Sequence, residues 1–135
     1  MKQLIALQSG DSLDEVILSP VSRLDLIKYA GASGDFNPIH TIDEEAEKAG
    51  LPGIIAHGMW TMGNLTKLFT PYYETGFIQD YSIRFKGMVF LNDVITLKAV
   101  VQEVNEESID FKVLAVNQDG KEVIKGKVLF LKYKK

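Results

Sequence analysis

Two stretches of this chain carry the residue types that proton-transfer chemistry needs: Ala32-Ser33-Gly34-Asp35-Phe36-Asn37-Pro38-Ile39-His40 and Ile55-Ala56-His57-Gly58-Met59. The first puts a carboxylate and an imidazole on one irregular loop. Gly34 can take φ values closed to other residues, and Pro38 fixes its own φ while pushing Asn37 into an extended conformation. Asp35 and His40 therefore sit on a stiff turn. Together they can hold one water molecule, because the carboxylate accepts a hydrogen bond and the imidazole accepts or donates another. A pair of this kind takes a proton from water and returns it, a contribution of roughly 10²–10⁴-fold in general acid/base catalysis. Gly58 supplies an electrophilic half. It falls near the start of an apolar helix, where backbone N–H groups lack partners and the dipole favours negative charge, and its missing side chain lets a carbonyl oxygen approach. The combination suits addition or removal of water next to a carbonyl.

Each of these residues also has a purely structural use. Asp35 can satisfy turn amides, His40 can be a packed loop histidine, and Gly58 can serve close packing. His57 is the most ambiguous: a positive charge at a helix N-terminus is disfavoured, so a neutral, hydrogen-bonded role competes with direct action on the substrate. Asp35, His40, Asp43 and His57 are all of metal-ligand type. No metal and no cofactor are expected.

The elements that must position these groups are legible from patterning. Val16 to Leu18 reads as a short strand. Ser22 caps an amphipathic helix over Arg23 to Ala30, stopped by Gly31, and Asp43 caps Glu44 to Ala49, ended by Gly50. From Ile54 to Phe69 apolar residues crowd almost every face, which predicts a buried helix with Met59, Trp60 and Met62 in the core, ended by Pro71. After Gly76, Tyr81, Ile83 and Phe85 alternate with Ser82, Arg84 and Lys86, a strand pattern. Further β segments follow near Val94 to Val104, Ser108 to Asn117 and Lys121 to Tyr133, the last two joined by the hairpin signal Asn117-Gln118-Asp119-Gly120. Consecutive hairpins make an antiparallel sheet whose apolar face only the central helix can cover. The class is α+β, a long helix wrapped by a curved antiparallel sheet.

Bulk properties narrow the partners. At 135 residues without repeats or linkers, the chain reads as one domain, 1–135, with one core. A net charge of −3 gives no broad basic field and argues against duplex nucleic acid, and the terminal Lys132, Lys134 and Lys135 read as a solubilising tail. The absence of cysteine removes disulfides, thiolate metal sites and Cys nucleophiles. The apolar run from Met1 to Gln8 is too short for a secretory signal and nothing later reaches membrane-spanning length, so a cytoplasmic protein is expected.

The two-part motif Ser33-Gly34-Asp35-Phe36-Asn37-Pro38-Ile39-His40 with Ile55-Ala56-His57-Gly58-Met59 resembles the signature of MaoC-like dehydratases, which include the (R)-specific enoyl-CoA hydratases and mycobacterial β-hydroxyacyl-ACP dehydratase subunits. The likeness runs from about Tyr29 through Gly63. It implies a single hot-dog fold, and a dimer whose sheets join. It implies that Asp35 and His40 are the catalytic dyad holding the water added to or lost from Cβ of an acyl thioester, on CoA or on acyl-carrier protein, and that the Gly58 N–H binds the thioester carbonyl. Asn37 takes a supporting place on the substrate side, with His57 and with Thr66 at the position of a serine in one branch; Arg84 and Lys86 are read as facing solvent, with contact to CoA phosphates or an acidic carrier surface as the alternative that would put Arg84 in the substrate site. As a single short copy, the chain is expected to pair with itself or with a related subunit. Alternatives are the catalytic subunit of an obligate hetero-oligomer, a hot-dog thioesterase and an acyl-binding protein.

Overall fold

Period-two burial builds most of this molecule. The computed structural model describes residues 3–134; Met1 and Lys2 of the N-terminal run, and Lys135, lie outside them. The elements are β1 (Val16–Ile17), α1 (Arg23–Ser33), α2 (Asp43–Lys48), α3 (Gly58–Leu65), β2 (Gly76–Phe85), β3 (Thr96–Val104), β4 (Ser108–Val116) and β5 (Glu122–Lys132). The strands form one antiparallel sheet in the order β1-β3-β4-β5-β2. Along β4, Ile109, Phe111, Val113 and Ala115 are buried while Asp110, Lys112 and Leu114 face the other way. Alternation of side chains across a strand turns this pattern into one dry face.

That face closes on α3 and the 3-10 turns that follow it. Leu65, Leu68, Phe69 and Tyr72 are buried there, and Phe69 meets Phe111 edge-on at 5.0 Å and stacks on Phe130 at 5.9 Å. Edge strand β2 is tied to the helix by Tyr81, whose hydroxyl donates to the Met62 carbonyl at 2.7 Å. Burial, with Tyr73 adding to it, pushes the Tyr81 phenol well above its ordinary range, so it remains a donor. The sheet wraps the central helix: this is the hot-dog fold. Among the described residues no helix is long and apolar enough to cross a membrane.

Several expected boundaries move, each for a local reason. The central helix begins at Gly58, not Ile54, because Ile55 and Ala56 are extended: Ile55 N–H donates to the Ile39 carbonyl at 3.2 Å and Ala56 N–H to that of Val89 at 2.8 Å. Beyond Leu65 the chain tightens into 3-10 turns over Thr66–Tyr72, which accommodate Pro71, a residue that cannot donate to a helical ladder. Nor is α3 buried all round, since Met59 is 56% exposed and Trp60 and Met62 are half-buried. The sheet covers one side of it only. Gly31 does not stop α1, which continues to Ser33 and ends at Gly34, whose φ of 77° only glycine adopts without strain. Asp43 is the first residue of α2 and not its cap; its carboxylate takes the Arg23 guanidinium at 3.0 and 3.1 Å. Lys132 and Lys134 are engaged with the 105–107 turn, Lys132 donating to the Asn105 carbonyl and Lys134 facing Glu107 at 3.9 Å, and so are more than a loose tail.

At the start of α1, Ser22 Oγ accepts the Asp25 N–H and the Asp25 carboxylate accepts the Ser22 N–H, both at 3.1 Å. This reciprocal cap satisfies two otherwise orphaned donors. Ser22→Ala is expected to cost about 1 kcal/mol, read as a lower urea midpoint with an unchanged m-value.

Candidate active site

Short polar side chains shape the loop that leaves α1. After Gly34, the Asp35 N–H donates to Ser33 Oγ at 3.1 Å, Asp35 Oδ1 accepts the Asn37 N–H at 3.2 Å, and Asn37 Oδ1 accepts the Ile39 N–H at 3.3 Å. Aspartate and asparagine substitute for backbone acceptors two residues on, and this is what winds the chain into the single 3-10 turn Pro38–His40. Asn37, with φ −55° and ψ 119°, is extended as a residue before proline must be. Its contribution is to the loop. Asp35 divides its carboxylate: Oδ1 is spent on the turn, and Oδ2 faces His40.

His40 is buried, and its Nδ1 lies 2.7 Å from the Ile55 carbonyl oxygen. A carbonyl only accepts, so Nδ1 carries a proton, and the tautomer this selects has its lone pair at Nε2. That nitrogen is 3.9 Å from Asp35 Oδ2. The separation is too long for a hydrogen bond and short enough for both atoms to bind one oxygen placed between them. Asp35 remains half open to solvent while His40 is almost closed off, with side-chain exposures of 52% and 10%, so a ligand reaches the pair from the Asp35 side.

His57 stands behind this pair. It is 2% exposed, its Nε2 donates to the Asp35 carbonyl at 3.1 Å, and its ring stacks on His40 at 3.8 Å while Tyr29 meets it edge-on at 4.8 Å. Burial lowers its pKa from 6.5; the hydrogen bond to Asp35 opposes this, the neighbouring His40 adds to the lowering, and the Asp35 charge opposes it. His57 is therefore neutral at pH 7. The geometry gives it a hydrogen-bonded place behind the pair, its ring stacked on His40 and its Nε2–H committed to the loop backbone. Asp35, His40 and His57 present ligand-type atoms within 4.8 Å of one another. One nitrogen of each ring is given to a backbone carbonyl, His40 Nδ1 to Ile55 and His57 Nε2 to Asp35, and Asp43, which pairs with Arg23, is not in the group.

Gly58 follows as the first residue of α3, and its N–H has no acceptor within the helix. Space explains the residue type. A Cβ built here would lie 2.7 Å from Phe85 Cε1, so the β2 ring rests directly on this position. Gly58, Thr61, Ile55, Phe85, Met88 and Val123 help to line a small cavity of about 170 Å³.

Two expected residues stand away from the dyad. Thr66 is at the far end of α3, about 12 Å along the axis from Gly58 at the helical rise, and its hydroxyl donates to the Gly63 carbonyl at 2.7 Å. Arg84 is next to Phe85 on β2, and neighbouring strand residues face opposite ways. With Phe85 turned to Gly58, Arg84 lies on the outer face of the sheet, in a groove shared with Lys112, Lys125 and Lys127. Residue types gave no signal for the Ile55 carbonyl, since a backbone acceptor has no letter of its own. Phe85 and Tyr29 were visible only as apolar positions of a strand and a helix.

The chain is thus a hot-dog domain with a carboxylate–imidazole pair set against the N-terminus of its central helix. The chain belongs to the family described as MaoC like domain, whose model matches residues 6–124. It is similar to the 3-hydroxybutyryl-CoA dehydratase of Methylorubrum extorquens, with 26% identity over 83% of this chain and 73% of that protein. It is also similar to the fatty acid synthase beta subunit TOXC of Cochliobolus carbonum, with 40% identity over 67% of this chain. The matched region is about 4% of that subunit, as it is of the Aspergillus oryzae fatty acid synthase subunit beta. In three dimensions it matches the R-hydratase PhaJ1 from Pseudomonas aeruginosa with a TM-score of 0.87, at 24% identity, over 97% of this chain and 85% of that one. At that identity the likeness speaks for the fold.

The lowered pKa of His57 has a consequence for stability. Its folded pKa lies below the unfolded 6.5, so on acidification the unfolded chain takes up a proton first, and stability falls from pH 6.5 down to the folded pKa. Urea melts at pH 7.5 and pH 5 are expected to show a larger loss for the wild type than for His57→Gln. Equal losses would show that His57 titrates alike in both states.

Proposed function

We propose that this protein catalyses the reversible addition of water to trans-2-enoyl thioesters, giving (R)-3-hydroxyacyl thioesters, with no cofactor. The observation that carries the reading is the 3.9 Å gap between His40 Nε2 and Asp35 Oδ2, with Gly58, whose N–H opens α3 and has no acceptor inside the helix, next in sequence to the His57 that stacks on His40. The thioester carbonyl oxygen accepts from Gly58 N–H, which draws electron density out of the Cα=Cβ bond. A water bound between His40 Nε2 and Asp35 Oδ2 attacks Cβ as one of its protons passes to the dyad. The negative charge that develops on the thioester oxygen meets the positive end of α3. The proton then returns to Cα, the double bond is consumed, and both side chains recover their starting state. Dehydration is the same path reversed. The 3-hydroxybutyryl-CoA dehydratase and R-hydratase names of the similar proteins agree with this chemistry.

The substrate is an acyl-CoA or acyl-carrier-protein thioester, and residues 1–135 act as one hot-dog domain. A second copy is proposed to pair along β2, an edge strand ten residues long with Phe77 and Phe85 exposed on it, next to the exposed Met59 and Met88. Open edges with apolar residues favour pairing. A related subunit in place of the second copy would leave the dyad on this chain.

Hydration is followed by the fall in enoyl-thioester absorbance with crotonyl-CoA and longer enoyl-CoAs. Asp35→Ala and His40→Ala are each expected to lower kcat/KM by at least about 100-fold with the circular dichroism spectrum unchanged. Full activity in either variant would sink the mechanism, and release of free thiol by the wild type would point to thioester hydrolysis.

A further inference from the structure

Among the described residues, two buried side-chain atoms are without a hydrogen-bond partner: His57 Nδ1 and Thr61 Oγ1. They are complementary. Because His57 gives its Nε2–H to the Asp35 carbonyl, Nδ1 holds a lone pair and can only accept, whereas a threonine hydroxyl can donate. The residues are also one helical turn apart. Side chains on a helix tilt toward its N-terminus, so Thr61 lies over the turn that His57 opens. Both are 2% exposed. Buried polar groups are nearly always satisfied, and here each orphan is what the other lacks. A helical threonine uses two rotamers that place its hydroxyl differently, so rotation about one bond can aim the hydroxyl at His57.

We propose that Thr61 is a positioning residue: its hydroxyl donates to His57 Nδ1, directly or through one water, and so holds His57 in the tautomer whose Nε2–H grips the Asp35 carbonyl. In the other tautomer a ring lone pair faces that carbonyl oxygen. The two repel, the loop is released, and Asp35 Oδ2 loses its alignment with His40 Nε2. Thr61 thus acts on the water-holding gap from one turn inside the helix, without touching the substrate. Its effect on turnover rests on the hydration reading above, but its effect on the tautomer does not.

The test compares the wild type with Thr61→Val, which keeps the shape and removes the hydroxyl, and Thr61→Ser, which keeps the hydroxyl. Nitrogen-15 NMR of the imidazoles is expected to show wild-type His57 as a single Nε2–H tautomer with a hydrogen-bonded Nδ1. In Thr61→Val the Nδ1 resonance moves to the free position or the tautomers mix, and kcat for crotonyl-CoA hydration falls roughly 10- to 100-fold with KM little changed. Thr61→Ser restores both. A wild-type Nδ1 at the free position overturns the proposal even if no valine variant folds. So does a Thr61→Val protein with an unaltered His57 spectrum, and so does a change confined to KM, which would make Thr61 a substrate contact. If the wild type hydrates no enoyl thioester, the NMR comparison still decides the tautomer.

Discussion

The site depends on one short extended segment, Ile55–Ala56, bonded on both sides. Ile55 gives its N–H to the Ile39 carbonyl and its own carbonyl to His40 Nδ1, while the Ala56 N–H reaches the Val89 carbonyl and Ile55 bridges to Phe90. One backbone therefore joins the loop that carries the dyad to the segment that leads into β3. It also leads straight into α3. Had the helix begun at Ile54, the Ile55 carbonyl would be taken by an N–H one turn further on, and neither the tautomer of His40 nor the start of α3 at Gly58 would follow.

Electrostatics then divides labour among the titratable groups. Two imidazoles stacked at 3.8 Å cannot both be charged cheaply. Burial favours the neutral form of His57, the ring that lies behind His40. Asp35 does two things with two oxygens, one shaping the turn and one facing His40. A carboxylate used only for the turn would leave the histidine without a counterpart, and one used only for chemistry would swing on a loose loop.

Much of this was legible in residue types. Ser22 and Asp25 wrote the start of α1, Asn117 and Gly120 wrote the β4–β5 turn, and period-two alternation wrote the strands. The turn that carries Asp35 and His40 was legible as well, since Asp35 and Asn37 build it from bonds that span two residues. The helix limits were harder. Gly31 and Gly34 look alike as letters, and only the left-handed conformation at Gly34 separates a tolerated glycine from a terminator. The apolar run from Ile54 had two uses, and periodicity does not distinguish a buried extended segment from the first turn of a buried helix.

By itself, then, the sequence determined what is local: caps, turns, the dry face of the sheet, and the presence of a carboxylate, an imidazole and a helix-starting glycine in one motif. Only the tertiary structure decided which nitrogen of His40 is free, that His57 lies behind the dyad, that Phe85 rests on Gly58, and that Arg84 and Thr66 stand apart from it. The reason is physical. Local bonds are set by side chains a few positions apart and so are written in residue identity. The two histidine contacts join segments 15 and 22 positions apart through backbone carbonyls, which every residue carries alike.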